Sequence, residues 1–168
     1  MGEPSGPQLR YEVREEVARI TLDAPPLNIL TAALMDDMSA AIERATADST
    51  TKAVVVRAEG RAFSAGASVE EHRPEQVGAM IASFGRLFRL LDACELPIVM
   101  AVGGAALGGG FELAMMADVL IASEEATFGQ PEIRLGFFAP VGVVRLPALV
   151  GPARAMEITC SGRTYSAA

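Results

Sequence analysis

Residues 98–122 read IVMAVGGAALGGGFELAMMADVLIA, and this stretch decides the fold class. The apolar run from Ile98 to Val102 predicts a buried strand, and three glycines at 108–110 lead into good helix formers from Phe111 to Ala117. Val119 to Ala122 predicts a further strand. Alternating strands and helices favour an α/β layered fold with largely parallel strands.

The same alternation extends toward the N-terminus. Apolar residues recur there first with period two, then at helical spacing, then in a valine-rich run typical of a strand buried on both faces. The predicted elements are a β-hairpin over residues 9–22, a helix capped by Thr31 and ending near Asp48, a strand from Ala53 to Arg57, a loop from Gly60 to Ser68, and a helix from about Glu75 to Cys94.

Composition bounds the class of protein. With 168 residues, 51% of them hydrophobic and 21% charged, the chain predicts one folded domain over residues 1–168. The net charge of −7 argues against nucleic-acid binding. The longest uncharged run, 96–111, has 16 residues and contains Pro97 and five glycines, so we expect no membrane partner.

The remaining composition signals concern location. Residues 1–9 show no basic segment leading into an apolar one, so no signal peptide is expected. Cys94 and Cys160 lie in apolar stretches, which predicts buried thiols in a reducing compartment. The cytoplasm is the expected location.

The glycine-rich segment 103–110 fits neither a dinucleotide fingerprint nor a phosphate-binding loop, because no frame gives the glycine spacing of the first and no Lys follows for the second. Glycines between a strand and a helix let backbone approach closely and leave amide N–H groups free, which suits an anionic oxygen. The alternative is that these glycines serve tight packing only.

Two glutamates lie in apolar surroundings. Glu112 is flanked by Phe111 and Leu113, and a carboxylate among apolar residues is a candidate acid or base, although an exposed first-turn glutamate is the alternative. Glu132 follows a turn, where a surface loop residue is the simpler interpretation. His72, the only histidine, has no metal-ligand spacing with either cysteine, so it is interpreted as a loop residue and no metal site is expected.

Three segments together resemble the enoyl-CoA hydratase/isomerase (crotonase) family. They read FSAGA at 63–67, ALGGGFELAMMAD at 106–118 and FGQPEIRLG at 128–136, in the family's order and spacing. The resemblance runs from about Tyr11 to the last residue. It implies a crotonase-like spiral of repeated ββα units that ends here before the family's C-terminal helical region, and assembly as a homo-trimer or hexamer.

The resemblance also implies the site and the chemistry. The backbone N–H groups of Ala67 and Gly109 would form an oxyanion hole, and Glu112 and Glu132 would be the catalytic acids, with Glu132 donating a proton to carbon α and Glu112 activating water. The activity implied is hydration of an α,β-unsaturated acyl-CoA thioester, with coenzyme A as part of the substrate and no other cofactor. The residues expected to contact substrate are Ala65, Gly66, Ser68, Val69, Gly108, Phe137, Phe138 and Val141.

Two departures from the family pattern refine this expectation. Ser68 stands where the family commonly has Asp, and residues 137–142 replace a glycine-rich segment with bulky apolar side chains. Phe137, Phe138 and Val141 favour a flat or alicyclic acyl group, such as cyclohexa-1,5-diene-1-carbonyl-CoA. The alternatives are a noncatalytic acyl-CoA-binding or assembly subunit, a Δ3,Δ2-enoyl-CoA isomerase, or a C–C lyase of the same family.

Overall fold

The structure, a computed structural model, describes residues 8–168; most of the segment used for the signal-peptide prediction lies outside that range. The strands are β1 (Leu9–Arg14), β2 (Val17–Leu22), β3 (Ala53–Ala58), β4 (Ala62–Ser64), β5 (Ile98–Val102), β6 (Ala105–Leu107), β7 (Val119–Ala122), β8 (Thr127–Gly129) and β9 (Thr164–Ser166). The α-helices are α1 (Ala32–Ala47), α2 (Val77–Asp92), α3 (Gly109–Ala114), α4 (Gly142–Val150) and α5 (Pro152–Ser161), with short 3-10 helices at Glu70–His72 and Pro131–Leu135.

The strands form two sheets. One has five strands in the order β1-β2-β3-β5-β7, and the other has four in the order β4-β6-β8-β9. The pairs β1–β2 and β8–β9 are antiparallel, and all other pairs are parallel. A unit of two strands and one helix occurs three times along the chain, and each unit gives one strand to each sheet. The units are β3-β4-α2, β5-β6-α3 and β7-β8-α4. The predicted α/β class with largely parallel strands is therefore confirmed.

The predicted hairpin, helices and long strands are present. Thr31 caps α1 as predicted, because its hydroxyl accepts the N–H of Leu34 at 3.2 Å. The prediction that Ala53 to Arg57 is buried on both faces is wrong. Val54 and Val56 are fully buried, whereas Val55 is only half-buried, because alternate residues point to opposite faces and the main apolar core occupies one of them.

Strand β7 lies where it was predicted, but it is not buried. It is the last strand of its sheet, and the side chains of Val119, Leu120 and Ile121 are 51%, 42% and 59% exposed. The prediction of two buried thiols is also wrong, because Cys94 is half-buried and Cys160 is exposed on α5.

The glycine-rich segment folds differently from the prediction at its helix. Helix α3 begins at Gly109 and ends at Ala114, where the sequence predicted Phe111 to Ala117. Gly108 turns the chain with φ +54°, and Gly110 then packs so closely on Ser64 that no side chain fits. The predicted loop from Gly60 to Ser68 contains β4, which pairs with β6.

Candidate active site

The loop after β4 and the start of α3 meet through their glycines. A Cβ at Gly66, where φ is +110°, would lie 3.0 Å from the carbonyl oxygen of Leu107 and 3.4 Å from the nitrogen of Gly109. A Cβ at Gly109 would lie 3.2 Å from the nitrogen of Ala67. The backbones at Ala67 and Gly109 are therefore in close approach.

Hydrogen bonding leaves both of these amides free. The N–H of Leu30 donates to the oxygen of Gly66 at 2.9 Å, and the N–H of Ser68 donates to the oxygen of Leu30 at 3.0 Å, so Ala67 lies between two bonded neighbours. Neither the N–H of Ala67 nor that of Gly109, the first residue of α3, has an acceptor within residues 8–168. Two backbone donors at one place can bind one oxygen that carries negative charge.

Glu112, on α3, is buried, with 2% of its surface exposed. Its Oε1 accepts the N–H groups of Val141 at 2.7 Å and Gly142 at 2.9 Å, at the start of α4. Burial raises the pKa of this carboxyl to about 7; the two backbone donors oppose that rise, and the negative charge of Glu132 adds to it. The group can therefore change protonation state near neutral pH.

Glu132 is the second residue of the 3-10 helix Pro131–Leu135. Its carboxylate lies against the turn at Gly108, where a Cβ would stand 2.7 Å from Oε1 of Glu132. Burial also raises the pKa of Glu132. The turn that presents the free amide of Gly109 thus also contacts the second carboxylate.

An aromatic wall follows Glu132. The chain turns at Gly136, where φ is +73°, and the N–H of Phe137 donates to the oxygen of Glu132 at 3.1 Å. Phe137 and Phe138 line a cavity of about 360 Å³ together with Glu132 and residues of α4 and α5. The remaining cavity residues are Gln130, Ile133, Ala139, Gly142, Val143, Pro147, Pro152, Ala155, Met156, Thr159 and Cys160.

His72 joins the two sides of the site. Its ring centroid lies 4.9 Å from that of Phe137, and its Nδ1 is 2.7 Å from the carbonyl oxygen of Ser68. The loop that carries Ala67 is thereby in contact with the segment after Glu132. The interpretation of His72 as a loop residue missed this contact, which no sequence spacing indicates.

Of the other residues predicted to contact substrate, Ala65, Ser68 and Val69 follow β4, and Val141 precedes α4. The hydroxyl of Ser68 accepts the N–H of Glu71 at 3.3 Å, so it contacts the 3-10 helix Glu70–His72. The N–H of Ala65 donates to Leu27 at 2.9 Å, and Val69 is 62% exposed. Val141 contributes its backbone N–H to Glu112, but it does not line the 360 Å³ cavity.

Gln130 is a further residue of the site, and its role is not apparent from the sequence. It is 1% exposed, and its side chain contacts Glu132. A polar residue between a strand and a proline is ordinary in sequence, so only the burial distinguishes it. Within residues 8–168, no group of three or more metal-ligating side chains is assembled, and no helix is long and apolar enough to cross a bilayer.

The profile of the enoyl-CoA hydratase/isomerase family matches residues 12–168. The chain belongs to this family. It is 40% identical over 169 residues to the cyclohexa-1,5-dienecarbonyl-CoA hydratase of Thauera aromatica. That alignment covers 100% of this chain and 66% of the Thauera protein. It is 42% identical over 163 residues to a probable enoyl-CoA hydratase of Rhizobium meliloti, covering 95% of this chain and 63% of that protein.

Solved structures agree with the family assignment. The enoyl-CoA hydratase of Bacillus anthracis superposes with a TM-score of 0.90 at 30% identity, over 96% of this chain and 65% of that one. The enoyl-CoA hydratase of Mycobacterium smegmatis gives 0.90 at 28% identity, over 96% and 65%. The predicted crotonase-like fold is confirmed. The chain spans about two thirds of the length of each of these four relatives.

Proposed function

We propose that the protein is an acyl-CoA hydratase, which adds water across the double bond of an α,β-unsaturated CoA thioester. The observation that carries the proposal is one juxtaposition: two free backbone amides, the buried carboxyl group of Glu112 and the half-buried carboxyl group of Glu132 meet around the turn at Gly108. Family membership supports the thioester as substrate.

The amides of Ala67 and Gly109 are proposed to bind the thioester oxygen. When water adds at carbon β, the electrons of the double bond move toward that oxygen and form an enolate. Donors fixed in advance stabilise this charge, and removing one such donor typically lowers the rate by about 10² to 10³. No reorganisation of the backbone is required during the reaction.

The two carboxyl groups are proposed to move the protons. Glu112, as the carboxylate, takes a proton from water while the water oxygen bonds to carbon β. Glu132, protonated, gives its proton to carbon α, and the double bond becomes a single bond. One proton enters the pair and one leaves, so the pair carries a single proton before and after turnover. The raised pKa values of both groups support this sharing.

A cyclic dienoyl group is the proposed acyl substrate. Phe137 and Phe138 line the cavity beside Glu132, and flat aromatic faces fit a planar ring better than a flexible chain. The 40% identity to a hydratase named for cyclohexa-1,5-dienecarbonyl-CoA supports the same choice.

Turnover of cyclohexa-1,5-diene-1-carbonyl-CoA compared with crotonyl-CoA tests the substrate. We expect a higher kcat/KM for the cyclic thioester, and a clear preference for crotonyl-CoA would reject the ring. A protein that binds both thioesters and hydrates neither would instead be a noncatalytic subunit, and one that only shifts a double bond from the β,γ to the α,β position would be an isomerase.

Assembly as a trimer or hexamer in the cytoplasm is part of the proposal. Val144 on α4 and Met156 on α5 are 71% and 64% exposed, and such apolar surface is typical of a contact between subunits. Both cysteines are free thiols, as is usual in a reducing compartment. Sedimentation equilibrium tests the assembly, and a monomer at micromolar concentration would contradict it.

A further inference from the structure

Gln130 is the one side-chain amide buried beside the two carboxyl groups within residues 8–168. It follows β8 directly and precedes Pro131, which opens the 3-10 helix that carries Glu132. With 1% of its surface exposed, the amide has almost no access to solvent. A buried amide needs protein partners, and an unpaired one is destabilising.

The partner of Gln130 is the carboxylate of Glu132. The side-chain nitrogen donates to Oε2 at 2.9 Å and to Oε1 at 3.1 Å. The amide is assigned this orientation because the reverse one would set its oxygen against two carboxylate oxygens. Hydrogen bonds to a charged acceptor are stronger than those between neutral groups.

Gly142 makes room for this arrangement. A Cβ at Gly142 would lie 2.8 Å from the amide group of Gln130 and 3.0 Å from Cβ of Ala139. The backbone N–H of the same glycine donates to Glu112. One residue at the start of α4 therefore supports Glu112 directly and leaves space for the group that holds Glu132.

We propose that Gln130 is a positioning residue that holds both oxygens of the Glu132 carboxylate through its side-chain amide. This inference rests on the proposed function in one respect, namely that Glu132 donates a proton during turnover. The amide stabilises the negative charge that forms on Glu132 as the proton leaves, so it makes Glu132 a stronger acid than its burial alone would allow. It also fixes the direction in which the carboxyl group faces.

Four other ionisable groups lie on the elements packed near Glu132. Glu112 on α3 is the group whose charge couples to it. The remaining three are His72, which contacts Phe137, Cys160 of α5, which lines the same cavity, and Arg134 of the same 3-10 helix, which packs on Gly162. Among the described residues, the donor to both Glu132 oxygens is Gln130.

A titration of the wild-type protein by NMR tests the contact without any substitution. The carboxyl carbon of Glu132, assigned with the Glu132→Gln variant, reports its protonation, and the side-chain amide signals of Gln130 report the hydrogen bond. We expect the amide signals to shift with pH at the same midpoint as the carboxyl carbon. Amide signals that stay constant through the titration of Glu132 would overturn the proposal.

The Gln130→Met variant tests the effect on acidity and rate. Methionine keeps the length of the side chain and removes the donor, so the midpoint of Glu132 should rise by about one pH unit. Hydration should lose about tenfold in kcat with KM unchanged. The matched control is Gln76→Met, because Gln76 is exposed and its side chain makes no capping hydrogen bond at α2; it should change neither quantity.

The two proposals fail in different ways. A wild-type protein that shows the coupled titration but hydrates no thioester would contradict the proposed function and leave the Gln130 contact intact. A wild-type protein that hydrates its substrate, beside a folded Gln130→Met variant with an unchanged Glu132 midpoint and an unchanged kcat, would overturn the role of Gln130.

Discussion

Gly142 donates its backbone N–H to Oε1 of Glu112 at 2.9 Å, and this bond joins the start of α4 to a buried carboxyl group on α3. The neighbouring N–H of Val141 donates to the same oxygen at 2.7 Å. Oε1 is thus occupied by two donors, while Oε2 accepts no hydrogen bond from residues 8–168. Oε2 is therefore the atom available to water or to a proton.

The pH dependence of stability follows from Glu112. Its pKa is about 7 in the folded protein and 4.5 as the reference value, so between these values the folded state binds more protons than the unfolded state. Its contribution to the free energy of unfolding is fully present below about pH 4.5 and is lost as pH rises through about 7, a loss of about 3 kcal/mol.

The Glu112→Gln variant should remove most of this slope, because glutamine still accepts the two N–H groups and does not ionise. Urea unfolding at pH 4.5, 6 and 8 measures it, with Glu124→Gln as the control at an exposed carboxylate. Glu132, whose pKa burial also raises, contributes a residual slope of the same sign. If the free energy of unfolding changed equally with pH in the wild type and in Glu112→Gln, the raised pKa of Glu112 would be contradicted.

The space between the two free amides gives a second prediction. In Gly109→Ala, the new Cβ would lie 3.2 Å from the nitrogen of Ala67 and would narrow the place where an oxygen binds. We expect kcat for hydration to fall by about 10² while the protein remains folded. Gly103→Ala is the control, because a Cβ there meets nothing within 4 Å. A Gly109→Ala variant as active as this control would argue against an oxyanion site between Ala67 and Gly109.

Backbone packing at Gly110 predicts a loss of stability. A side chain at this position overlaps the backbone of Ser64, so Gly110→Ala should lower the free energy of unfolding by about 3 kcal/mol or more. Gly78→Ala, in the first turns of α2 with open space around it, should raise the free energy by about 0.5 to 1 kcal/mol instead. Chemical denaturation measures both, and a Gly110→Ala variant as stable as the wild type would contradict the close packing of Gly110 on Ser64.

The aromatic wall gives a prediction on specificity. Phe137→Ala removes the ring that contacts His72 and opens one side of the cavity. For the cyclic dienoyl thioester we expect KM to rise about fivefold with kcat nearly unchanged, because the ring contributes about 1 kcal/mol of stacking. Ile81→Ala, at a position of α2 that is 60% exposed, controls for the loss of an apolar side chain on the surface. The same rise in KM for crotonyl-CoA would show that Phe137 does not select rings.

The long elements of the fold follow from the sequence because their apolar periodicity is strong over many residues. The valines of β3 and the apolar residues of α2 are examples, and Thr31 marks the start of α1. The short strands β4, β6 and β8 do not, since three-residue segments rich in Ala, Gly and Ser have little strand propensity and are stabilised by pairing with distant partners. The exposure of β7 was missed because an apolar run does not say whether it lies at an edge.

The candidate site, like the fold, can be predicted from the sequence only in part. Glu112 and the glycines are indicated by their apolar or glycine-rich surroundings, and Glu132 is indicated only by the family resemblance. The contact of His72 with Phe137 and that of Gln130 with Glu132 depend on how separate loops meet in space or on a local turn, and neither leaves a pattern in the chain.

Transfer of solvent hydrogen to carbon α tests the central claim most directly. In D₂O, the wild-type protein should convert an unsaturated acyl-CoA to its hydroxyacyl product with one deuterium at carbon α, detected by mass spectrometry. Glu132→Gln should form the labelled product at least about 10² times more slowly, while Glu124→Gln should match the wild type. Labelling by Glu132→Gln at the wild-type rate, or a wild type that binds the thioester and adds no water, would contradict the account.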